Sequence, residues 1–139
     1  MSGKKIGQPT KVSTSAKLEK INSFWSPKLI GSLNNAYEIK LAKLSGEFVW
    51  HSHLDTDELF FVLAGKLTIR FREPGANEEL EDVKLVAGEL LIIPKGVRHC
   101  PVTEDGEVSV LLMEPSGVIN TGDAGVVEGL TNAVEDYRQ

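Results

Sequence analysis

From Ala36 onward the chain is cut into short apolar-rich segments by glycine- and proline-bearing turns, and no other feature constrains its fold as strongly. The breaks are Ser45-Gly46, Ala64-Gly65, Pro74-Gly75, Ala87-Gly88, Pro94-Lys95-Gly96 and Asp105-Gly106. Between them lie segments 48–53, 58–63, 66–72, 83–86, 90–93, 99–102 and 108–113, each of strand length and short for a helix. Ahead of them Tyr37, Ile39 and Leu41 alternate with Glu38 and Lys40, the period of a half-buried strand. Connections this short leave no room for the crossover helices of a parallel sheet. The fold class expected is therefore all-β, a sandwich or barrel.

Before the strands, Leu18, Ile21, Phe24 and Trp25 recur at three- and four-residue intervals behind a Ser or Thr cap. This spacing predicts one short amphipathic helix within 13–26, ended by Pro27. Residues 1–12 carry Lys4, Lys5 and Lys11 with no apolar stretch like that of a secretory signal, and read as a flexible leader. Residues 13–139 read as a single domain with a barrel core spanning about 36–115. The Gly-, Asn-, Thr- and Asp-rich stretch 116–129 is expected to wrap the barrel irregularly, and 130–139 to form a short helix.

The formal net charge is −5 and the lysines are scattered, which argues against nucleic acid as a partner. No apolar run approaches the roughly 20 residues of a membrane span, so no membrane is expected either. The single cysteine, Cys100, cannot form an internal disulfide, and a cytoplasmic setting is expected.

The chemistry is concentrated in few residues. Of three histidines, His51 and His53 stand two apart in a strand-like segment. Alternation sends i and i+2 to one face, their stems roughly 7 Å apart, close enough for two imidazoles to share an ion. Glu58 opens the apolar run Leu59-Phe60-Phe61-Val62-Leu63 after a polar bend, where a carboxylate is costly unless paired or coordinated. His99 follows the Pro94-Lys95-Gly96 turn and adds an imidazole from another part of the sheet. A lone strand histidine is more often a surface residue than a ligand. Three with a glutamate instead describe one metal site with open positions, the arrangement of non-haem Fe(II) and related centres.

These residues stand in two extended patterns. The first reads Gly46, four residues, His51-Ser52-His53, four residues, Glu58, six residues, Gly65; the second reads Gly88, five residues, Pro94-Lys95-Gly96, two residues, His99. Together they resemble the two signature stretches of the cupin family. The gap before His51 is one residue shorter than the family's usual pattern, and Thr103 stands where the second stretch commonly has Asn. The resemblance implies a double-stranded β-helix, or jelly roll, with His51, His53, Glu58 and His99 as metal ligands. Gly65, Gly88 and Gly96 then shape turns.

A family with this fold includes dioxygenases, isomerases, decarboxylases and binding modules, so the fold does not select the reaction. The function expected is that of a metal-dependent enzyme on a small polar molecule, either a dioxygenase or a sugar- or keto-acid isomerase. The alternative is a non-catalytic module that uses the metal to bind a small ligand. The cofactor expected is one divalent transition ion, Fe, Mn, Ni or Zn. Cys100, next to His99, should face away from the site as a packed apolar residue. Trp50, Arg70 and Arg72 read as surface packing, though they could rim a pocket. Adjacent Phe60 and Phe61 must point to opposite faces, and the outward one implies a cover, from the amino-terminal helix or from a second copy in a homodimer.

Overall fold

The computed structural model describes residues 7–72 and 80–139. Residues 1–6 of the expected leader and the Pro74-Gly75 turn lie outside the described residues. A short helix α1 (Thr14–Leu18) is followed by β1 (Lys28–Leu33), β2 (Tyr37–Leu44), β3 (Glu58–Ala64), β4 (Lys66–Arg72), β5 (Val83–Val86), β6 (Leu90–Ile93), β7 (Arg98–Thr103), β8 (Val108–Pro115) and β9 (Glu135–Asp136). One sheet runs β6-β3-β8-β2-β1-β9 and the other β5-β4-β7. The two face each other across Leu44, Phe60, Val62, Leu67, Ile69, Val110 and their neighbours, which form the main core. The all-β jelly-roll expectation holds.

Four local expectations are corrected. The helix is only five residues long, capped by the Ser13 hydroxyl on the Ala16 N–H, and it stops well before residue 26. Tertiary packing overrides the periodicity beyond it. Trp25 takes a left-handed φ of 56°, donates its backbone N–H to Lys43, and stacks on Phe48 with ring centroids 4.4 Å apart. Second, residues 28–33 form a strand that the helix-first reading passed over. Its hairpin to β2 turns through Asn34 and Asn35, both left-handed, a conformation asparagine tolerates better than most residues.

Third, segment 48–53 is no regular strand. Glu47 bridges Val102 and His51 bridges His99, so four steps on one chain face three on the other, which is a bulge. Fourth, 130–139 forms no helix. A stretch this short has little helical stability of its own, and it adds β9 to the free edge of β1, with the Tyr137 N–H on the Leu29 carbonyl. Stretch 116–129 is irregular as expected, apart from one 3-10 turn at Gly122–Ala124.

The pleat of β2 is the feature that shapes the interior most. Its apolar face, Ile39 and Leu41, points away from the barrel and joins Leu18, Ile21 and Ile30 in a second cluster. Its polar face therefore turns inward, and Lys40 is buried in the barrel against Glu114 of β8. Gly65, Gly88 and Gly96 all take positive φ, as the turn reading requires. At Gly65 the need is also steric, since a Cβ would lie 2.7 Å from the Glu107 carbonyl oxygen.

Candidate metal centre

The backbone brings His51 and His99 together before their side chains do. Each donates its N–H to the other's carbonyl, at 3.0 and 2.8 Å, which sets the two imidazoles side by side with centroids 4.3 Å apart. The Pro94-Lys95-Gly96 turn clamps the rest of the loop. Gly96 N–H donates to the His53 carbonyl at 2.9 Å, and Lys95 N–H to the Asp57 carboxylate at 2.9 Å. Thr103, the departure from the family pattern, joins the two signature stretches: its hydroxyl accepts from Gly46 N–H at 2.7 Å.

The four predicted residues converge. One ligand atom from each of His51, His53, Glu58 and His99 lies within 4.8 Å of the others, and all four residues are buried. Glu58 Oε1 is 3.3 Å from His53 Nε2 and 3.4 Å from His99 Nε2. Donors about 2.1 Å from a shared ion stand about 3–4 Å apart, so this spacing suits one cation.

Polar satisfaction points the same way. The Nδ1 atoms of His51 and His99 each lie 2.9 Å from a carbonyl, of Val49 and Val97 respectively. A carbonyl only accepts, so each Nδ1 carries the proton and Nε2 presents a lone pair to the centre. His53 Nε2, His99 Nε2 and Glu58 Oε1 are buried with no hydrogen-bond partner, an arrangement that is costly unless a cation completes it. The residues present thus fit a divalent transition ion.

Electrostatics favour the ligand forms of His51 and Glu58. Burial and the nearby His99 lower the His51 pKa to about 4, which keeps it neutral. Burial alone would raise the Glu58 carboxyl, but the His53 and His99 imidazoles facing its Oε1 outweigh burial and hold the group well below the ordinary carboxylate range. For His53, burial works downward while Glu58 outweighs it and raises the pKa.

Three features of the site were not read from sequence. Glu114 lies on the barrel interior beside Glu58, and burial together with the Glu58 charge pushes its carboxyl up to about 8. Lys40 holds it at 3.2 Å. Neither stood out, because an alternating strand was expected to turn its charges to solvent. The third is a clasp from the carboxy-terminal stretch: Asp123 accepts from Ser52 N–H at 2.6 Å and from the Ser52 hydroxyl at 2.9 Å, pinning the residue between the two histidines. Of the other residues considered, Cys100 is fully buried with its thiol pushed by burial up to about 11, an inert packed group as expected. Arg72 stacks 4.0 Å over the Trp50 ring, and Arg70 pairs with Glu47 at 3.6 Å on the outer surface.

A jelly-roll barrel with three histidines and a glutamate converging inside defines a class of metal-site barrels. The Cupin domain profile matches residues 38–114, and the chain belongs to the cupin family. It is 43% identical over 65 residues to the uncharacterized protein YdbB of Bacillus subtilis (strain 168), an alignment covering 47% of this chain and 52% of that one. The chain thus spans about half the length of that curated relative. Among solved structures, it resembles a cupin-2 domain containing protein from Shewanella frigidimarina, at 41% identity and a TM-score of 0.67, over 75% of this chain and 93% of the other. It shares its fold with hydroquinone 1,2-dioxygenase PnpCD in complex with Fe3+, at 15% identity and a TM-score of 0.69, over 79% of this chain and 33% of that chain.

Proposed function

We propose that the protein is a metal-dependent enzyme acting on a small polar molecule, either a dioxygenase or a sugar- or keto-acid isomerase. One observation carries it: His53 Nε2, His99 Nε2 and Glu58 Oε1 converge, buried, with no hydrogen-bond partner of their own. Three imidazoles and one carboxylate suit Fe, Mn, Ni or Zn as the divalent ion. Such an ion supplies Lewis acidity toward a ligand oxygen and, when redox-active, reactivity toward O2. The chain does the rest. Glu58 offsets one unit of the ion's charge, backbone acceptors fix the His51 and His99 rings, and Phe48, Phe60 and Leu112 wall the adjoining cavity against bulk water. The iron-bound hydroquinone dioxygenase supports the oxygenase side only through its shared fold.

Reconstitution separates the readings. Loaded anaerobically with Fe(II) and then given O2 and small hydroxylated substrates, the protein is expected to consume oxygen, and the Zn(II) form is not. Turnover without O2 in Mn, Zn or Ni forms would instead indicate an isomerase. Metal-dependent binding of a small ligand without turnover would favour a non-catalytic binding module.

The proposal includes a homodimer in a reducing cytoplasm. Phe60 enters the core, while Phe61 faces outward among Leu90 and Ile92, which are 55% and 53% exposed, and Tyr37, which is 48% exposed. The α1 cluster covers Ile39 and Leu41 but leaves this end of the sheet open. A second copy is the cover proposed. Light scattering at micromolar concentration is expected to give twice the chain mass, and Ile92→Glu is expected to give the monomer.

A further inference from the structure

Trp25 is held in a backbone conformation that its side chain does not favour. Its φ of 56° lies in the left-handed region, where glycine and asparagine are at home and a bulky residue is rare. Four hydrogen bonds fix it there. Its N–H donates to the Lys43 carbonyl at 2.9 Å and its indole Nε1–H to the Ser45 carbonyl at 3.0 Å. Its own carbonyl accepts from the side-chain amides of Asn120 and Asn132, at 3.0 and 2.9 Å. Glycine would meet the backbone need at lower cost, so the ring is what this position requires.

The ring's place shows what it does. Trp25 lines the cavity that reaches His51 and Glu58, and it stacks on Phe48, whose ring lies edge-on to His51 at 5.3 Å. Strands supply most of the cavity wall, and their ladders hold it rigid. Among the lining residues, only Trp25, Pro27 and Asn120 come from outside the strands and the signature stretches. The space left is about 30 Å³. A water needs at least about 10–15 Å³ and a benzene-sized ligand roughly 150 Å³, so two or three small atoms fit and an aromatic ring does not.

We propose that Trp25 is the specificity-determining residue of this cavity: its fixed indole closes one end and limits the ligand that reaches the metal centre to a few heavy atoms. This rests on the metal-site reading above and narrows its substrate class to compact aliphatic molecules. An indole is larger than a benzene ring, so its removal leaves room for one. Trp25→Gly removes it and also relieves the left-handed backbone.

The test uses the full chain loaded with Co(II) and two thiols, ethanethiol and benzyl mercaptan, which share the ligating sulfur and differ in the tail. Thiolate-to-Co(II) charge-transfer absorption reports binding. The wild type is expected to bind ethanethiol at least about tenfold more tightly than benzyl mercaptan. Trp25→Gly is expected to raise benzyl mercaptan affinity about tenfold and to change ethanethiol affinity by no more than about twofold. Trp25→Asn, which also suits a left-handed φ, should do the same. Leu112→Ala vacates space in the same cavity but leaves the indole in place, and should still exclude benzyl mercaptan. A wild type that binds both thiols alike would overturn the proposal whatever the variants do. So would Co(II)-loaded Trp25 variants that still exclude benzyl mercaptan, or a Leu112→Ala chain that admits it as readily. Failure of both Trp25 variants to load Co(II) would overturn it too, since the ring would then be a structural element and not a size limit. A wild type that takes up no Co(II) would overturn the metal reading itself, a result readily told apart from normal loading with the wrong selectivity.

Discussion

Replacing Lys40 alone with Met is expected to destabilise the metal-free protein by about 1–2 kcal/mol more at pH 9 than at pH 5. The ammonium is 1% exposed and faces Glu114 at 3.2 Å and Glu38 at 3.4 Å. Its loss leaves the buried Glu114 carboxylate beside Glu58 with no compensating charge. The loss also depends on pH. Glu114 already titrates near 8, above its ordinary 4.5, so the folded state binds the extra proton across that window and its stability falls as pH rises through it. Without Lys40 the group moves higher still. The cost should therefore be small near pH 5, where Glu114 is neutral in both chains, and grow as pH rises past 8, where the wild-type group ionises and the variant's still holds its proton. Denaturant unfolding at the two pH values measures it, and adding Glu114→Leu in the same chain should recover most of the loss. Equal stability of Lys40→Met and the wild type at pH 9 would mean that the pair carries no buried charge.

Gly122→Ala should reduce metal affinity by about 10–100-fold without touching a ligand. A Cβ at this position would lie 2.3 Å from the Ser52 carbonyl oxygen and 3.1 Å from the His51 ring, at a φ of 52°. Backbone cannot yield as a side-chain tip can, so the carboxy-terminal stretch must lift. Lifting it breaks the Asp123 bonds to Ser52 and frees the loop between His51 and His53. Gly117→Ala is the control. Gly117 also has positive φ, at 82°, but nothing lies within 4 Å of its Cβ, so it carries the backbone strain without the clash. Competition titration against a chelator compares the two. If both variants hold metal as the wild type does, the stretch does not position the loop.

The site was legible in the sequence because its signals are local. His51 and His53 share a face by alternation, and Glu58 and His99 each follow a turn whose residues announce it. What the sequence concealed depends on which way a strand faces. In β2 the apolar and polar residues alternate cleanly, and the ordinary assumption buries Ile39 and Leu41 in the main core. The fold instead covers them with α1 and sends Lys40 inward, because Glu114 waits on the paired strand β8. No single-strand pattern contains that partner, since Lys40 and Glu114 are 74 residues apart. Trp25 misled for a related reason: its spacing fits a helix, but its ring packs best on Phe48. The Asp123 clasp lay within a stretch whose composition signals only irregular backbone. Asn34-Asn35, by contrast, was a readable turn signal for the β1–β2 hairpin.

The central claim is that His51, His53, Glu58 and His99 hold one ion, and metal titration of the purified, chelator-treated chain tests it most directly. The expected result is one divalent transition ion bound per chain, with binding abolished in the His51→Ala, His53→Ala double variant while the barrel's β-sheet circular dichroism persists. A wild type that binds no transition ion, or a folded double variant with undiminished metal content, would contradict the account.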